Sequence, residues 1–338
     1  RTHVLFELSP FTLECVGWVG GITLLLAGFT ALTQTDIKKI LAYSTMSQIG
    51  YMFLALGAGA WQPAIFHLMT HAFFKALLFL AAGSVILAVH HEQDIFKMGG
   101  LRKQIPLTFW CFLIGSLALV AFPGTAGFFS KDEILFEAYA NGHAGLYYVG
   151  LFGAFLTAIY TFRLIFIAFF GEAQGETHAP HGLDHSVPLL VLAALSLVGG
   201  MIHLPLDQVL PAAHVSVPME QMKHTFEFAS VMVSFAGIAI AWFLFHRNRA
   251  LAAALKTSAI GNLLYRYWRS AWGFDWLYDL LFVRPYLWLV QVNRNDGIDV
   301  LVSQIPGAFR RMNAFLSSTQ TGQLRWYAGA MGVGACLV

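Results

Sequence analysis

Residues Ala64 to Val89 read AIFHLMTHAFFKALLFLAAGSVILAV. A membrane-spanning helix needs about 20 mostly apolar residues, and this stretch exceeds that length with no acidic residue and one lysine. Within it His67, His71 and Lys75 recur at i, i+4 and i+8. At about 100° per residue they fall on one stripe of a helix, over about 12 Å of its length. The rest of that helix is greasy, so the run predicts a span with one ionisable face.

The same pattern extends outward in both directions. Further spans are expected from about Glu14 to Gln34, Ile40 to Leu56, Leu146 to Phe170, Val187 to Ile202 and Phe226 to Phe245. Another starts at Ile105, is interrupted by Pro123, Gly124 and Gly127, and continues toward Ala140. That makes seven candidates with the quoted one, and an eighth apolar run from Leu324 to Val338 is a stub. Composition agrees: 57% of the 338 residues are hydrophobic and 11% charged, against about 25% charged in a soluble domain. The expected fold class is an all-α polytopic membrane protein. A net charge of +2 without a basic block gives no footprint for nucleic acid. Cys15, Cys111 and Cys336 are isolated, which indicates neither a disulfide framework nor a cysteine metal site. Arg1 in place of a methionine, and an end inside an apolar run, lead us to expect part of a longer protein.

Lysine and arginine collect in one set of alternate loops: Lys38, Lys39, Lys97, Arg102, Lys103, Arg247, Arg249 and Lys256. The other set offers Lys223 and little else. Retention of positive loops on the cytoplasmic side then fixes the orientation. The loop after Phe170 carries Glu172, Glu176 and Asp184 and three histidines, His178, His181 and His185, which read as a solvated tract in preference to a metal site.

Polar groups inside spans carry the most information, because a lysine or aspartate at mid-bilayer costs about 2.5 to 3.5 kcal/mol on insertion scales. For His67, His71 and Lys75 the favoured reading is a proton relay, since imidazole titrates near neutrality and a desolvated ammonium can release its proton. The bland reading has each histidine bonding a neighbouring helix while Lys75 snorkels; a His67/His71 metal pair lacks a third ligand. A second site follows the Pro123 to Gly127 interruption, where Lys131, Asp132 and Glu133 come at once. Broken helices are tolerated at depth only where buried or lining a wet cavity, so these residues either form an ion site or cap a shorter span. Arg163 either pairs with one of these carboxylates or reaches the interface. Ser44, Thr45, Ser47 and Gln48 either carry a water chain or act as packing glue. Asp36 and Lys38 either exchange protons with bulk or are ordinary loop charges.

From about Ser258 to Ser318 aromatic residues, among them Tyr265, Trp268, Trp272, Trp276 and Trp288, alternate with Arg266, Arg269, Asp275, Asp279, Arg284 and Arg294. Amphipathic helices of this kind lie at the membrane surface or along partner helices. Pro285, Gly297, Pro306 and Gly307 are expected to kink or interrupt them. Three parts result: a helix bundle over 1–250, a lateral amphipathic helix over 251–323 and the start of a terminal anchor helix over 324–338.

Together QTDIKKILAYSTMSQIGYMFLAL (34–56), HLMTHAFFKALLFLAAGS (67–84), HHEQDIFKMGGLR (90–102), TAGFFSKDEIL (125–135) and WGFDWLYD (272–279) closely resemble the antiporter-like membrane subunits of respiratory complex I, and among them the L branch, called chain 5 in mitochondria. The resemblance implies a subunit of about twice this length, of which this is the C-terminal part, lying in a bacterial plasma membrane or alternatively the mitochondrial inner membrane. It implies inverted helix repeats with a broken helix each, and a hydrated path of charged residues near mid-membrane. By motif, His67, His71 and Lys75 would be the central connecting residues, with Lys131 and Asp132 after the broken helix. The lateral helix would lie along neighbouring antiporter-like subunits and lipids.

The expected function is proton translocation coupled to quinone reduction, with no cofactor on this chain. NADH, FMN, iron-sulfur clusters and quinone belong to partner subunits, because the chain shows no dinucleotide fingerprint and no cluster-binding cysteines. Two alternatives stand beside it: a subunit of a multisubunit Na+/H+ antiporter, and a structural clamp for the membrane arm.

Overall fold

The computed structural model describes every residue except 1, 176, 179–181, 212–216, 294–296, 321 and 338, and leaves out the side chains at 217, 218 and 298. Glu176, His181 and Arg294, singled out above, lie outside the described residues. The chain forms two compact units, 1–273 and 274–338. Among the described residues all regular structure is helical, apart from one isolated bridge between Asp36 and Asp94.

The first unit runs through α1 (His3–Glu7), α2 (Pro10–Thr33), α3 (Ile37–Gly57), α4 (Trp61–Ala88), α5 (Leu101–Gln104), α6 (Pro106–Leu119), α7 (Ala126–Ala140), α8 (Ala144–Ala168), α9 (Leu183–Val198), α10 (Val217–Trp242), α11 (Arg249–Thr257) and α12 (Ala259–Arg269). Among the described residues five segments are long and apolar enough to cross a membrane: Pro10–Thr33, Trp61–Ala88, Ala144–Ala168, Leu183–Met201 and Met219–Arg247. The chain is thus an all-α polytopic membrane protein. The 21 residues of α3 rise about 31 Å, comparable with the bilayer core, but its row of hydroxyl and amide side chains makes it the polar partner in the bundle.

The interrupted span is two helices. α6 stops at Leu119 and α7 begins at Ala126, and between them Ala121 and Gly124 take positive φ angles of 58° and 83°. Gly127 belongs to α7 and not to the break. A Cβ there would overlap the Ala118 carbonyl, so glycine lets the new helix start against the end of the old one. Backbones approach closely at the α2–α3 contact as well, where a Cβ on Gly57 would overlap Gly17. Small residues at a helix seam are the usual route to tight packing in lipid.

One end of the bundle gathers the positive loops. The Ile37 N–H donates to the Gln93 carbonyl (3.0 Å) and the Arg102 N–H to the Phe169 carbonyl (3.2 Å). The Arg102 guanidinium lies 4.6 Å from the Phe170 ring centre, and His246 packs on Phe166 at 5.8 Å. Within this end Glu92 accepts from the N–H groups of Gln93 and Asp94 (both 2.9 Å) and pairs with Lys97 at 3.0 Å. His185 and His178 dock on α4's end: His185 Nε2 is 3.1 Å from Ser84 Oγ, and His178 donates its N–H to the Ala88 carbonyl. The tract is therefore partly anchored.

α12 lies on α2. Trp268 stacks on Phe29 with centroids 4.5 Å apart, and the Trp272 indole N–H donates to the Leu26 carbonyl at 3.0 Å. The helix ends at Ala271, Trp272 and Gly273, all with positive φ (50°, 60° and 78°), a stop that composition did not announce.

The second unit holds α13 (Phe274–Tyr278), a π-helical turn at Asp279–Val283, α14 (Arg284–Val292), α15 (Gly297–Ser318) and α16 (Leu324–Leu337). Pro285 opens α14, where the missing N–H is harmless. Pro306 and Gly307 do not interrupt α15, contrary to expectation. Pro306 is exposed, so the carbonyl that it leaves without a donor can turn to solvent or headgroups.

Candidate functional site

The polar stripe of α4 faces α3 across an antiparallel contact. Lys75 Nζ donates to Ser44 Oγ at 2.6 Å and lies 3.4 Å from the Leu41 carbonyl. Ser44 Oγ is also 3.0 Å from the Tyr160 hydroxyl of α8. Two turns back along α4, His67 Nε2 meets Gln48 Oε1 at 3.1 Å, and its Nδ1 meets Ser130 Oγ of α7 at 2.9 Å. Ser130 in turn is 2.8 Å from Thr70 Oγ1. Two hydrogen-bonded clusters therefore sit on consecutive turns of α3, at Ser44 and Gln48.

His71 stands between the clusters. Its ring centre is 6.1 Å from that of His67 and 5.4 Å from Phe74, and its Nε2 is buried without a partner among the described residues. The row is buried: Ser44, Gln48, His67, Thr70 and Ser130 are at most 1% exposed, Lys75 5% and His71 7%. Burying so many polar groups costs free energy unless they bond to one another. Here most do, which explains how α4 accommodates a lysine near its middle without snorkelling. Both His67 nitrogens are engaged with Gln48 and Ser130, and no group of three or more His, Cys, Asp or Glu side chains converges among the described residues. The metal reading of His67 and His71 thus lacks ligands.

Lys131 and Asp132 occupy the second turn of α7, directly after Ser130. They are 1% and 6% exposed, so they do not cap a shortened span at the water boundary. They point to different neighbours. Lys131 Nζ sits 4.5 Å from the Tyr51 ring centre and has no hydrogen-bond partner among the described residues. Asp132 Oδ1 accepts from Ser230 Oγ of α10 at 2.6 Å, while its Oδ2 is unpartnered. Glu133 joins neither and pairs with Lys223 at 2.7 Å. The break thus brings one residue of α7, Ser130, into the α4 row, and the next, Lys131, beside Tyr51 of α3.

Other candidates lie elsewhere. Asp36 is the N-cap of α3, accepting from the N–H groups of Lys38 (2.8 Å) and Lys39 (3.2 Å), and Lys38 is exposed. Eight residues separate Asp36 from Ser44, about 12 Å along the helix. Arg163 pairs with no carboxylate among the described residues; it donates to the Gln34 carbonyl at 2.9 Å. Ser47 and Thr45 bond to backbone carbonyls, as packing glue would.

Sequence reasoning did not assign Tyr160, Tyr51, Ser130, Thr70 or Ser230. Ser130 and Thr70 stood inside the quoted motifs, beside Lys131 and between the two histidines. Tyr160 had a weaker signal, as a hydroxyl in the middle of an apolar span.

Comparison with known proteins shows what the chain is similar to. The family described as NADH:quinone oxidoreductase/Mrp antiporter, transmembrane, matches residues 1–157. NADH-quinone oxidoreductase subunit L of Pseudomonas aeruginosa is 57% identical over 340 residues, covering all of this chain and 55% of that protein. The subunit of the same name from Escherichia coli is 55% identical over 345 residues, with the same coverage. That of Rickettsia bellii is 39% identical, over 95% of this chain and 53% of that protein. The chain spans about half the length of these curated relatives. The solved Mrp complex from Dietzia sp. superposes with a TM-score of 0.54 over 75% of this chain and 51% of its own, at 20% identity, a likeness of fold alone.

Proposed function

We propose that this chain, which is similar over residues 1–157 to the NADH:quinone oxidoreductase/Mrp antiporter family and over its whole length to subunit L proteins, is an antiporter-like membrane subunit that moves protons inside the membrane along His67, His71 and Lys75, with Lys131 and Asp132 at the end that α7 supplies. The observation that carries this reading is the buried row itself: Lys75, Ser44 and Tyr160 form one cluster, and Gln48, His67, Ser130 and Thr70 another, with the free His71 Nε2 between them. Imidazole and hydroxyl groups at hydrogen-bond distance can pass protons by reorienting, with the Gln48 amide orienting His67, and intramembrane ionisable residues mark such relays. Asp36 and Lys38 would form the mouth toward bulk water.

The parent protein would be the membrane subunit L of an NADH:quinone oxidoreductase in a bacterial plasma membrane, with this chain as its C-terminal part. Positive loops at one end of the bundle support a cytoplasmic placing of that end. NADH, FMN, iron-sulfur clusters and quinone would sit in partner subunits. This chain's task would be electrostatic: a distant redox event changes the charge near Lys75 and Lys131 and alters the side with which they exchange protons. The exposed apolar residues of α14 and α15, such as Trp288 and Phe309, would lie along neighbouring antiporter-like subunits and lipids.

The test replaces Lys75 or Lys131 by methionine in the full complex reconstituted into vesicles. The expected result is a loss of proton pumping of about tenfold or more in an assembled complex. Wild-type pumping together with wild-type quinone reduction in both variants would sink the proposal.

A further inference from the structure

A cavity of about 540 Å³ opens at the positive end of the bundle, within the first unit, between α8, the end of α10, and α11 and α12. That volume falls in the usual range for small-molecule sites. Its walls are mostly apolar, with Ile159, Ile167, Ile240 and Phe245 from the spans. Three cations line it, Arg163, Arg249 and Lys256, and no carboxylate does.

Arg163 makes the cavity unusual. It is 3% exposed, and its one hydrogen bond within the described chain goes to a neutral acceptor, the Gln34 carbonyl. It also faces the rings of Phe96 at 5.5 Å and Phe245 at 5.7 Å, and feels the Asp94 carboxylate and the Tyr265 hydroxyl only through space, with no ion pair among the described residues. A guanidinium presents five donors in a planar fork suited to phosphate. A buried cation without a directly paired anion is expensive, whereas one meeting a phosphate in an apolar cleft gains that pair. Arg249 and Lys256 are exposed at the rim, where they add positive potential; Arg249 bonds the Phe245 carbonyl at 3.0 Å and Lys256 lies 4.2 Å from the Tyr265 ring centre.

We infer that this cavity is a binding site for one anionic phospholipid, its headgroup phosphate held by Arg163, Arg249 and Lys256 and its acyl chain laid along Ile240, Phe245 and Ile167. A free phosphate ion would satisfy the cations but leave the apolar walls wet. A zwitterionic lipid would cover the walls but bring its own cation to three others. Basic pockets between helices on the cytoplasmic side recognise anionic headgroups for these reasons.

The experiment uses the intact membrane complex containing this chain, in nanodiscs of phosphatidylcholine with or without phosphatidylglycerol, followed by native mass spectrometry and thermal unfolding. Wild type is expected to retain one more phosphatidylglycerol than Arg163→Gln, and to bind it about tenfold more tightly. The rim variant Arg249→Gln/Lys256→Gln leaves the buried arginine in place and is expected to weaken retention in the same direction, so a folding failure of Arg163→Gln does not block the test. Equal retention by wild type and the rim variant overturns the inference. So does equal stabilisation by inorganic phosphate or by phosphatidylcholine alone.

Discussion

Lys75 has one short contact to a side chain, the 2.6 Å bond to Ser44. In Ser44→Ala its Nζ would keep only the Leu41 carbonyl at 3.4 Å, and leaving a buried donor unmet costs about 1 to 3 kcal/mol. The expected outcome is a clear fall in the thermal unfolding midpoint of the detergent-solubilised protein. Tyr160→Phe, which removes a partner of Ser44 but leaves the lysine bonded, should cost less. A Ser44→Ala protein as stable as wild type would mean that Lys75 finds another acceptor. The stripe of His67, His71 and Lys75 was legible in the sequence because helical spacing alone aligns it. Its acceptors were not, because Ser44 and Tyr160 meet across 116 positions and no local pattern reports which hydroxyl faces which helix. The Asp36 carboxylate, by contrast, makes local contacts, capping α3 through the N–H groups of Lys38 and Lys39, and its place at the mouth of the row remains part of the proposal.

At the level of elements, five of the seven expected spans match helices long and apolar enough to cross a membrane among the described residues; α3 falls short through its polar row, and the broken helix was readable from Pro123 and Gly124. The stop at Ala271–Gly273 and the continuity of α15 through Pro306 were not, since both depend on what the backbone can turn its carbonyls toward. The α2–α3 seam yields a direct test. Gly57→Leu would drive a side chain into the Gly17 backbone, and overpacking costs about 1 to 3 kcal/mol where neighbours can move; a backbone cannot, so the variant is expected to fall at or above that range, read as a lowered unfolding midpoint and reduced yield. Gly83→Ala, which meets nothing within 4 Å, serves as the control and should behave as wild type. The loop after α4 offers a pH test. Two backbone N–H groups, that of Asp94 most strongly, and the Lys97 ammonium hold the Glu92 carboxyl down to about 2. A depressed acid stabilises the folded loop at all pH values above its unfolded range. That contribution fades as pH falls from about 4.5 toward 2. Lys97 is raised by Glu92, so its contribution is complete below its ordinary range and fades only in strong alkali. Amide exchange of residues 92–98, corrected for intrinsic rates, should therefore be flat near neutrality and lose protection below about pH 4.5, whereas Glu92→Gln should show the weaker protection at neutral pH already.

Across the whole molecule, the buried ionisable groups belong to residues 1–273, and no described residue of 274–338 is buried within the chain. Composition separated these regions roughly, because a span hides its charges and a surface helix alternates them with aromatics. What it could not supply is how the bundle holds α3, whose inner face carries Ser44 and Gln48 while its outer face is seamed to α2 by paired glycines. Gly20 and Gly50 each lie where an added Cβ would overlap or crowd the other helix's backbone, as at Gly57. Sliding α3 by one residue would bring Ile49 or Tyr51 to the place of Gly50 in that seam. In dynamic terms α3 is a fixed rail. In the proposed relay, reconnection of the polar row would therefore fall to rotations of its buried side chains and to movement of α7 about its break, on the microsecond-to-millisecond scale of collective helix motions. If the proposed relay operates, its slower rearrangement is expected at residues 120–125, between the end of α6 and the start of α7, where the chain has no helix to hold it.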